Sequence, residues 1–219
     1  MINNRVYLDS IVGSNSFNLQ TDKSDIDEYI LFKGDVVFVD SREKDKKIDY
    51  HFINVNNFLN KLYSKETIHN EIQLFTPFEI VQQSDVQDFL INTRESWVKA
   101  NRYFILSSFF RKGESILGHF KDSWEIYPKQ LMTAARLLHT ICCYFKCNDW
   151  RNASFIQEED RSFFFDIRQK KLSKENTYDK LLKLKNAAQE CLSKICEDDN
   201  KKYNEYWIKN MRALLEIDI

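Results

Sequence analysis

Glycine and proline are scarce in this sequence, with four and two residues among 219. Flexible linkers, collagen-like repeats and low-complexity tracts need many such residues, so the sequence excludes them. No apolar run approaches the roughly 18 residues that span a bilayer, and the N-terminus lacks the regions of a signal peptide. The five cysteines form no Cys-x-x-Cys pair, so reduced thiols are expected. We therefore expect a cytoplasmic protein that does not enter a membrane.

Two catalytic signatures are also missing. No Gly-Lys-Ser/Thr follows Gly13, which excludes a P-loop kinase or GTPase, and no hydrolase triad has a local signature. What is present is a composition of 43% hydrophobic and 14% aromatic residues, enough for a real core. Residues 1–90 hold 9 Lys/Arg and 15 Asp/Glu, whereas the remainder holds 23 and 18. This asymmetry fits either ordinary solvated lysine-rich helices or an acidic metal-binding half joined to a polyanion-binding half.

The hydrophobic periodicity changes near residue 84. Before it, residues 5–12, 25–32 and 47–55 have the composition of strands, a hairpin turn at 33–35 leads to a strand at 36–39, and 41–47 is predicted as a loop. A helix is predicted over 56–63, and apolar residues recur at three- and four-residue steps beyond 84. We predict an α+β fold, with a mixed sheet and flanking helices in residues 1–85 and a helical domain in residues 86–219.

The segment from Gly13 to Asp27 combines three requirements of phosphate chemistry. Gly13 allows close approach of the backbone to a phosphate, and Ser14 adds a hydroxyl at a point where a helix could begin and direct its N–H groups. Asp25 and Asp27 are two residues apart, so a strand would place both carboxylates on one face, where they suit Mg²⁺. The step from Ser14 to Asp25 lets the chain leave one strand and enter the next. Together these features predict a phosphate grip facing a metal site.

These residues carry a family resemblance. GSNSFNLQTDKSDID resembles the glycine-serine loop and the acidic strand of the DNA polymerase beta superfamily of nucleotidyltransferases, most closely the bacterial and phage "predicted nucleotidyltransferase" group. Weaker similarities cover the helix and glutamate of residues 56–75, the Ala-Ala-Arg-Leu-Leu of 134–138 and the Asp-Ile-Arg of 166–168. Asn18 occupies a position usually held by glycine, which is tolerable because asparagine enters left-handed conformations readily. Thr133 stands where the group usually has histidine.

The resemblance implies a catalytic domain in residues 1–85 and a set of site residues. Nucleotide binding is implied for Gly13, Ser14, Ser24 and Arg136, and metal binding with Mg²⁺ or Mn²⁺ for Asp25 and Asp27. A third carboxylate is expected on a neighbouring strand to complete the metal site and help to deprotonate the acceptor.

Asp49 is our candidate for that third carboxylate. Residues 49, 51 and 53 share a strand face, so His51 could lie beside Asp49 as a base or substrate contact. A carboxylate at a loop end and a hydrogen-bonded surface histidine explain the same residues without chemistry. The alternatives for the third carboxylate are Asp40, Asp35 and Glu71.

Two further groups of residues in the second half permit two interpretations each. His139, Cys142, Cys143 and Cys147 have helical spacing, but the set is irregular for zinc and buried thiols explain it better. Four aromatic residues could stack RNA bases, although a core position is the more common role for them: Trp97, Tyr103, Phe109 and Phe110.

The sequence therefore predicts a metal-dependent enzyme that transfers a nucleoside monophosphate from an NTP such as ATP to a hydroxyl of RNA or of a protein. The alternatives are a catalytically inactive nucleotide-binding or regulatory protein and a protein-modifying (AMPylating) component of a toxin–antitoxin system.

Overall fold

The computed structural model describes residues 5–22, 24–34, 38–43, 47–64, 68, 70–122, 128–195 and 201–217. It has the predicted α+β architecture. The strands are β1 (Arg5–Val12), β2 (Ile26–Lys33), β3 (Phe38–Glu43), β4 (Ile48–Asn54) and β5 (Glu79–Gln82). The helices are α1 (Val55–Ser64), a 3₁₀ helix (Glu71–Phe75), α2 (Asp85–Asp122), α3 (Pro128–Cys147), α4 (Trp150–Ser154), α5 (Glu158–Arg168), α6 (Lys174–Ser193) and α7 (Lys201–Leu214).

The chain divides into two compact units. Unit 1 comprises Met1–Asn101 and Asp199–Ile219, and unit 2 comprises Arg102–Asp198. The C-terminal helix α7 thus belongs to the same unit as the sheet. The predicted domain boundary between residues 85 and 86 stays a prediction. No helix in the described ranges is long and apolar enough to cross a membrane.

The sheet of unit 1 has the strand order β3-β4-β2-β1-β5. β2 is antiparallel to β1 and parallel to β4, and β3 pairs with the outer edge of β4. The predicted hairpin at 33–35 is therefore wrong, because β1 and β4 occupy both edges of β2. The predicted loop at 41–47 is also wrong in part, since residues 41–43 continue β3 against β4. Residues 35–37 and 44–46 lie outside the described ranges.

One face of this sheet changes from apolar to polar along the strands. Leu8, Leu31 and Ile53 form a cross-strand row that is fully buried. Two positions closer to the β1–β2 loop, the next cross-strand row on this face is Ser10, Tyr29 and His51. Two positions further in the same direction, the last row is Val12, Asp27 and Asp49. Because side chains alternate between faces, all three rows lie on the same face. The core thus fixes the positions of the polar residues at its edge.

An aromatic cluster fastens α7 to the start of α2 within unit 1. The ring centroid of Trp207 lies 5.5 Å from Trp97, 6.0 Å from Phe75 and 5.3 Å from Phe89. The indole N–H of Trp207 donates to Thr93 Oγ1 at 2.8 Å, so its polar atom is satisfied despite burial. Trp97 is core, and a base-stacking role for it is wrong.

In unit 2, α3 packs against α4, α5 and α6. Gly113 permits close approach of α2 to α3, because a Cβ atom at that position would lie 3.0 Å from Leu138 Cγ. Phe109 is buried in this unit, so base stacking by Phe109 is wrong as well. Tyr103 and Phe110 are partly exposed, and their role stays a prediction.

Candidate functional site

The β1–β2 loop begins with a run of turns. The Leu19 N–H donates to the Ser14 carbonyl at 2.9 Å, and the Asn18 N–H donates to the Asn15 carbonyl at 3.3 Å. A helix does not begin at Ser14, because Ser and Asn side chains favour turns and Asn18 has a left-handed φ of 59°. The expectation that asparagine supplies this conformation in place of glycine is confirmed. The buried side chains of Phe17 and Leu19 anchor the loop to the core.

Gly13 lies directly against the carboxylate of Asp27. Its φ is +74°, and a Cβ atom built on it would lie 1.9 Å from Asp27 Oδ2 and 2.7 Å from Cγ. Any side chain at this position would therefore displace the carboxylate. The close neighbour of Gly13 is thus an acidic side chain, and its predicted close approach to a phosphate stays a prediction.

Two buried glutamines fix the end of β1, and sequence reasoning missed both of them. Gln73, on the 3₁₀ helix, accepts a hydrogen bond from the Gly13 N–H at 2.9 Å. Gln87 accepts one from Ser10 Oγ at 2.7 Å and donates one to the Leu74 carbonyl at 2.9 Å. The partners Gly13 and Gln73 are 60 positions apart in the sequence, and Ser10 and Gln87 are 77 positions apart. No local sequence signal could therefore have revealed these hydrogen bonds.

The predicted carboxylates converge on β2 and β4. Asp27 and Asp49 are register partners on adjacent parallel strands, about 4.8 Å apart along the hydrogen-bonding direction. Asp25 stands one residue before β2, where the Ile26 N–H donates to the Lys47 carbonyl at 2.8 Å and extends the pairing with β4. Because residues i and i+2 of an extended chain lie on one side, Asp25 is expected on the face of Asp27.

His51 is the basic neighbour of this row. Its Nε2 atom lies 3.3 Å from Asp27 Oδ1, and its ring centroid lies 4.9 Å from that of Tyr29. The side chains of His51 and Asp27 are 22% and 28% exposed, so a ligand can reach both. The predicted neighbourhood of Asp49 and His51 on one strand face is observed, whereas their chemical roles stay predictions.

Carboxylate oxygens are the donors that Mg²⁺ and Mn²⁺ prefer, so the chemistry of Asp25, Asp27 and Asp49 suits either ion. Within the part of the chain that the structure describes, no three His, Cys, Asp or Glu side chains are already grouped as a metal site. The prediction of metal binding by the three carboxylates therefore stands on donor type and strand register.

The alternative third carboxylates occupy other positions. Asp40 is the register partner of His51, one row away from Asp27, and Asp35 lies outside the described residues. Glu71 is fully buried and forms an ion pair with Lys61. Among these candidates, Asp49 shares a row with Asp27.

Ser24 closes the loop just before β2. Its Oγ accepts a hydrogen bond from the Thr21 N–H at 2.9 Å and lies 3.2 Å from Thr21 Oγ1. Its hydroxyl therefore has an internal structural role, and the implied contact of Ser24 with nucleotide stays a prediction. The buried hydroxyl of Ser16, in the same loop, has no hydrogen-bond partner among the residues that the structure describes.

A second acidic pair lies on the opposite face of the sheet. Burial, together with charge repulsion and a hydrogen bond from the adjacent carboxyl of Asp9, raises the pKa of Glu28 to about 7. Burial also raises the pKa of Asp9. Because successive side chains of a strand point to opposite faces of the sheet, Asp9 and Glu28 lie on the face opposite to Asp27. They therefore do not belong to the row of Asp27 and Asp49.

The candidate residues of unit 2 are mostly internal. Burial lowers the pKa of Arg136 to about 9, and its nucleotide contact stays a prediction. His139 Nε2 lies 3.1 Å from Asp160 Oδ2 and Cys143 Sγ lies 3.5 Å from the ring nitrogens of His139. Burial lowers the pKa of His139 and raises that of Cys143, which fits packed side chains. These residues form no three-ligand metal group among the described positions.

No family model and no curated protein matches this chain. Among solved structures it is similar to a nucleotidyltransferase-like protein from Exiguobacterium sibiricum 255-15, with 12% sequence identity over 96% of this chain and 82% of that chain. The TM-score is 0.33. A similarity this loose does not assign a family or an activity to this chain.

Proposed function

We propose that this chain is a metal-dependent nucleotidyltransferase that moves a nucleoside monophosphate from an NTP to a hydroxyl acceptor. The observation that carries the proposal is the contact between Gly13 and the carboxylate of Asp27, with Asp49 beside Asp27 on a parallel strand. The contact supports the proposal because it brings the loop that we propose to bind phosphate next to two carboxylates whose oxygens suit a divalent cation.

The roles follow from the positions of the residues. Asp25, Asp27 and Asp49 would hold Mg²⁺ or Mn²⁺, which supplies charge neutralisation at the α-phosphate and the leaving pyrophosphate. Ser14, with the turn that follows Gly13, would hold the triphosphate by its hydroxyl and backbone N–H groups.

In the reaction, the acceptor oxygen forms a bond to the α-phosphorus and the bond from that phosphorus to the bridging oxygen of pyrophosphate breaks. The proton of the acceptor hydroxyl goes to a base. His51 is the candidate for this base, since Asp27 orients its ring through the 3.3 Å contact and its partial exposure leaves it accessible.

The test is transfer of label from each α-labelled NTP, with Mg²⁺ or Mn²⁺, to RNA, protein and small-molecule acceptors. Asp27→Asn and Asp49→Asn keep side-chain size but remove a charged ligand, and each is expected to slow transfer by about 100-fold or more. Asp22→Asn is the matched control, because Asp22 is an exposed carboxylate of the same loop and should leave the rate unchanged. Transfer that survives in Asp27→Asn, or absence of transfer with every NTP and acceptor, would contradict the proposal.

A nucleotide-binding or regulatory protein without turnover is the second candidate. It is favoured by the pairing of His51 with Asp27, which satisfies that carboxylate without a cation. Calorimetry with NTP and Mg²⁺ on the wild type and on Asp27→Ala separates the two functions. Nucleotide binding that is not followed by transfer supports the regulatory protein, and binding followed by Asp27-dependent transfer supports the enzyme.

The acceptor is proposed to be an RNA or protein hydroxyl. Incubation with labelled ATP in the presence of proteins co-expressed with this chain, followed by mass spectrometry, tests the protein class. A mass increase of one nucleoside monophosphate on a Ser, Thr or Tyr side chain supports the AMPylating variant, and label found only on RNA contradicts it.

A further inference from the structure

Gln73 contacts the backbone at Gly13, where β1 ends and the β1–β2 loop begins. Its Oε1 atom accepts a hydrogen bond from the Gly13 N–H at 2.9 Å, and the residue is 8% exposed. This N–H lies in the planar peptide that joins Val12 to Gly13, and the chain leaves that plane with a left-handed φ of 74° at Gly13. The hydrogen bond to Gln73 therefore fixes the peptide plane from which the left-handed turn begins.

The acceptor atom of Gln73 belongs to a buried and hydrogen-bonded segment. The neighbouring residues Leu74 and Phe75 are fully buried. The Leu74 carbonyl accepts a hydrogen bond from Gln87, which in turn accepts one from Ser10 on β1. The 3₁₀ helix is thus linked to Ser10 of β1 through Gln87 and to Gly13, just after β1, through Gln73, which presents a preorganised acceptor to the loop.

We propose that Gln73 is a positioning residue of the nucleotide site. By fixing the peptide plane from which the left-handed turn at Gly13 begins, it orients the segment that carries the Ser14 N–H and hydroxyl, and it keeps Gly13 against the carboxylate of Asp27. The nucleotide role rests on the proposed function, whereas the hydrogen bond itself can be tested without it.

One consequence concerns phosphate recognition. The Gly13 N–H donates to Gln73, so it is engaged when a triphosphate arrives. Backbone donors for the phosphates therefore begin at Ser14, and Gly13 contributes its conformation and its lack of a side chain. This assigns the two residues of the Gly-Ser pair different tasks.

A single isotope-edited signal reports on this hydrogen bond. Gly13 follows Val12, and no other glycine of the chain follows a valine. Labelling with carbonyl-¹³C valine and ¹⁵N glycine therefore gives one correlated amide signal, which belongs to Gly13. The other glycine amides, visible in the same sample by their ¹⁵N label, report on the rest of the chain.

Two variants of Gln73 separate the acceptor atom from the bulk of the side chain. Gln73→Met keeps its length but loses the oxygen acceptor, and we expect the Gly13 amide signal to move and its hydrogen exchange to quicken by roughly tenfold. Gln73→Glu keeps an acceptor oxygen, and we expect the exchange rate of Gly13 to stay near the wild-type value. Gln83→Leu, at an exposed glutamine near the start of α2, is the control and should leave the Gly13 signal in place.

An unchanged Gly13 signal in Gln73→Met overturns the proposal. Movement of all glycine signals together in Gln73→Met, with the same movement in Gln73→Glu, indicates a general structural role and overturns it too. A change confined to Gly13 and present only in Gln73→Met supports it.

Nucleotide kinetics test the consequence for function. In an active enzyme, Gln73→Met is expected to raise KM for the NTP by roughly tenfold with a smaller change in kcat, since a misdirected loop weakens the grip on the triphosphate. Gln73→Glu should also raise KM, because a new negative charge would face the phosphates. A KM within about twofold of wild type in Gln73→Met overturns the nucleotide role. A wild-type protein that neither binds nor transfers nucleotide overturns the proposed function, while the Gly13 signal still decides whether Gln73 holds the loop.

Discussion

Replacement of Gly13 by alanine should disable the site while leaving the protein folded. The Cβ atom would lie 1.9 Å from Asp27 Oδ2, whereas real Cβ contacts essentially never fall below 3.0 Å. The carboxylate must therefore move by about 1 Å or the loop must shift by as much. A displacement of about 1 Å in a catalytic group can cost roughly 100-fold in rate.

The stability cost of Gly13→Ala should be moderate. An alanine in the left-handed region costs about 1–2 kcal/mol, which for a chain of this size lowers Tm by roughly 2–8 °C. Gly118→Ala is the matched control, because Gly118 is exposed on α2 and an added Cβ atom would meet nothing within 4 Å. Alanine in a helix interior is favoured by about 0.5–1 kcal/mol, so Tm should rise slightly.

Both variants are to be compared by calorimetric Mn²⁺ and NTP binding, by transfer rate and by thermal unfolding. We expect Gly13→Ala to lose about 100-fold in transfer with a modest fall in Tm, and Gly118→Ala to keep the full rate. A Gly13→Ala protein with the wild-type rate and metal affinity would refute the reasoning that the loop and the carboxylate are in obligatory contact. Equal loss of rate in both variants would refute it as well.

Three further predictions concern stability. Trp207→Ala should destabilise unit 1 by about 3–5 kcal/mol in urea unfolding, because the indole is buried in an aromatic cluster, and an effect below about 1 kcal/mol would show that α7 is dispensable. Lys61→Met should cost about 3 kcal/mol, since the fully buried carboxylate of Glu71 would lose its counter-charge; if Lys61→Met combined with Glu71→Met is no more stable than Lys61→Met alone, the pairing argument is wrong. For His139, burial lowers the pKa below 6.5 against the weaker opposing charge of Asp160, so the unfolded chain binds the proton more tightly. Its contribution to stability should be complete above about pH 6.5 and decline as the pH falls towards the lowered pKa; a His139→Gln protein with the same decline would exclude this source.

The local features of the molecule followed from the sequence. Strand β1 occupies residues 5–12 as predicted, because β-branched and aromatic residues there end at a glycine. Helix α1 covers the predicted 56–63, whose apolar residues recur at helical spacing. The left-handed conformation of Asn18 is also a local property, since the side chain of asparagine tolerates positive φ. Such features depend on a few neighbouring residues and can be predicted from one sequence.

The pairing of the strands could not be predicted from neighbouring residues. The hairpin predicted after β2 failed because a turn sequence does not say which edge of the sheet is free, and β4 fills the edge that β3 would need. The same pairing, parallel between β2 and β4, is what sets Asp49 beside Asp27. The sequence nominated Asp49 by residue type and strand face, and the sheet determined its row.

The sequence by itself determined the α+β class and nominated the Gly-Ser loop and the acidic residues, because these depend on periodicity and on the chemistry of short segments. Only the tertiary structure decided that the carboxylate of Asp27 fills the space next to Gly13, that Gln73 engages its N–H, and that α7 returns to the unit of the sheet. Each of these contacts joins residues that are remote in sequence or depends on side-chain packing between strands. Their geometry follows from burial of the common core, which no single segment encodes.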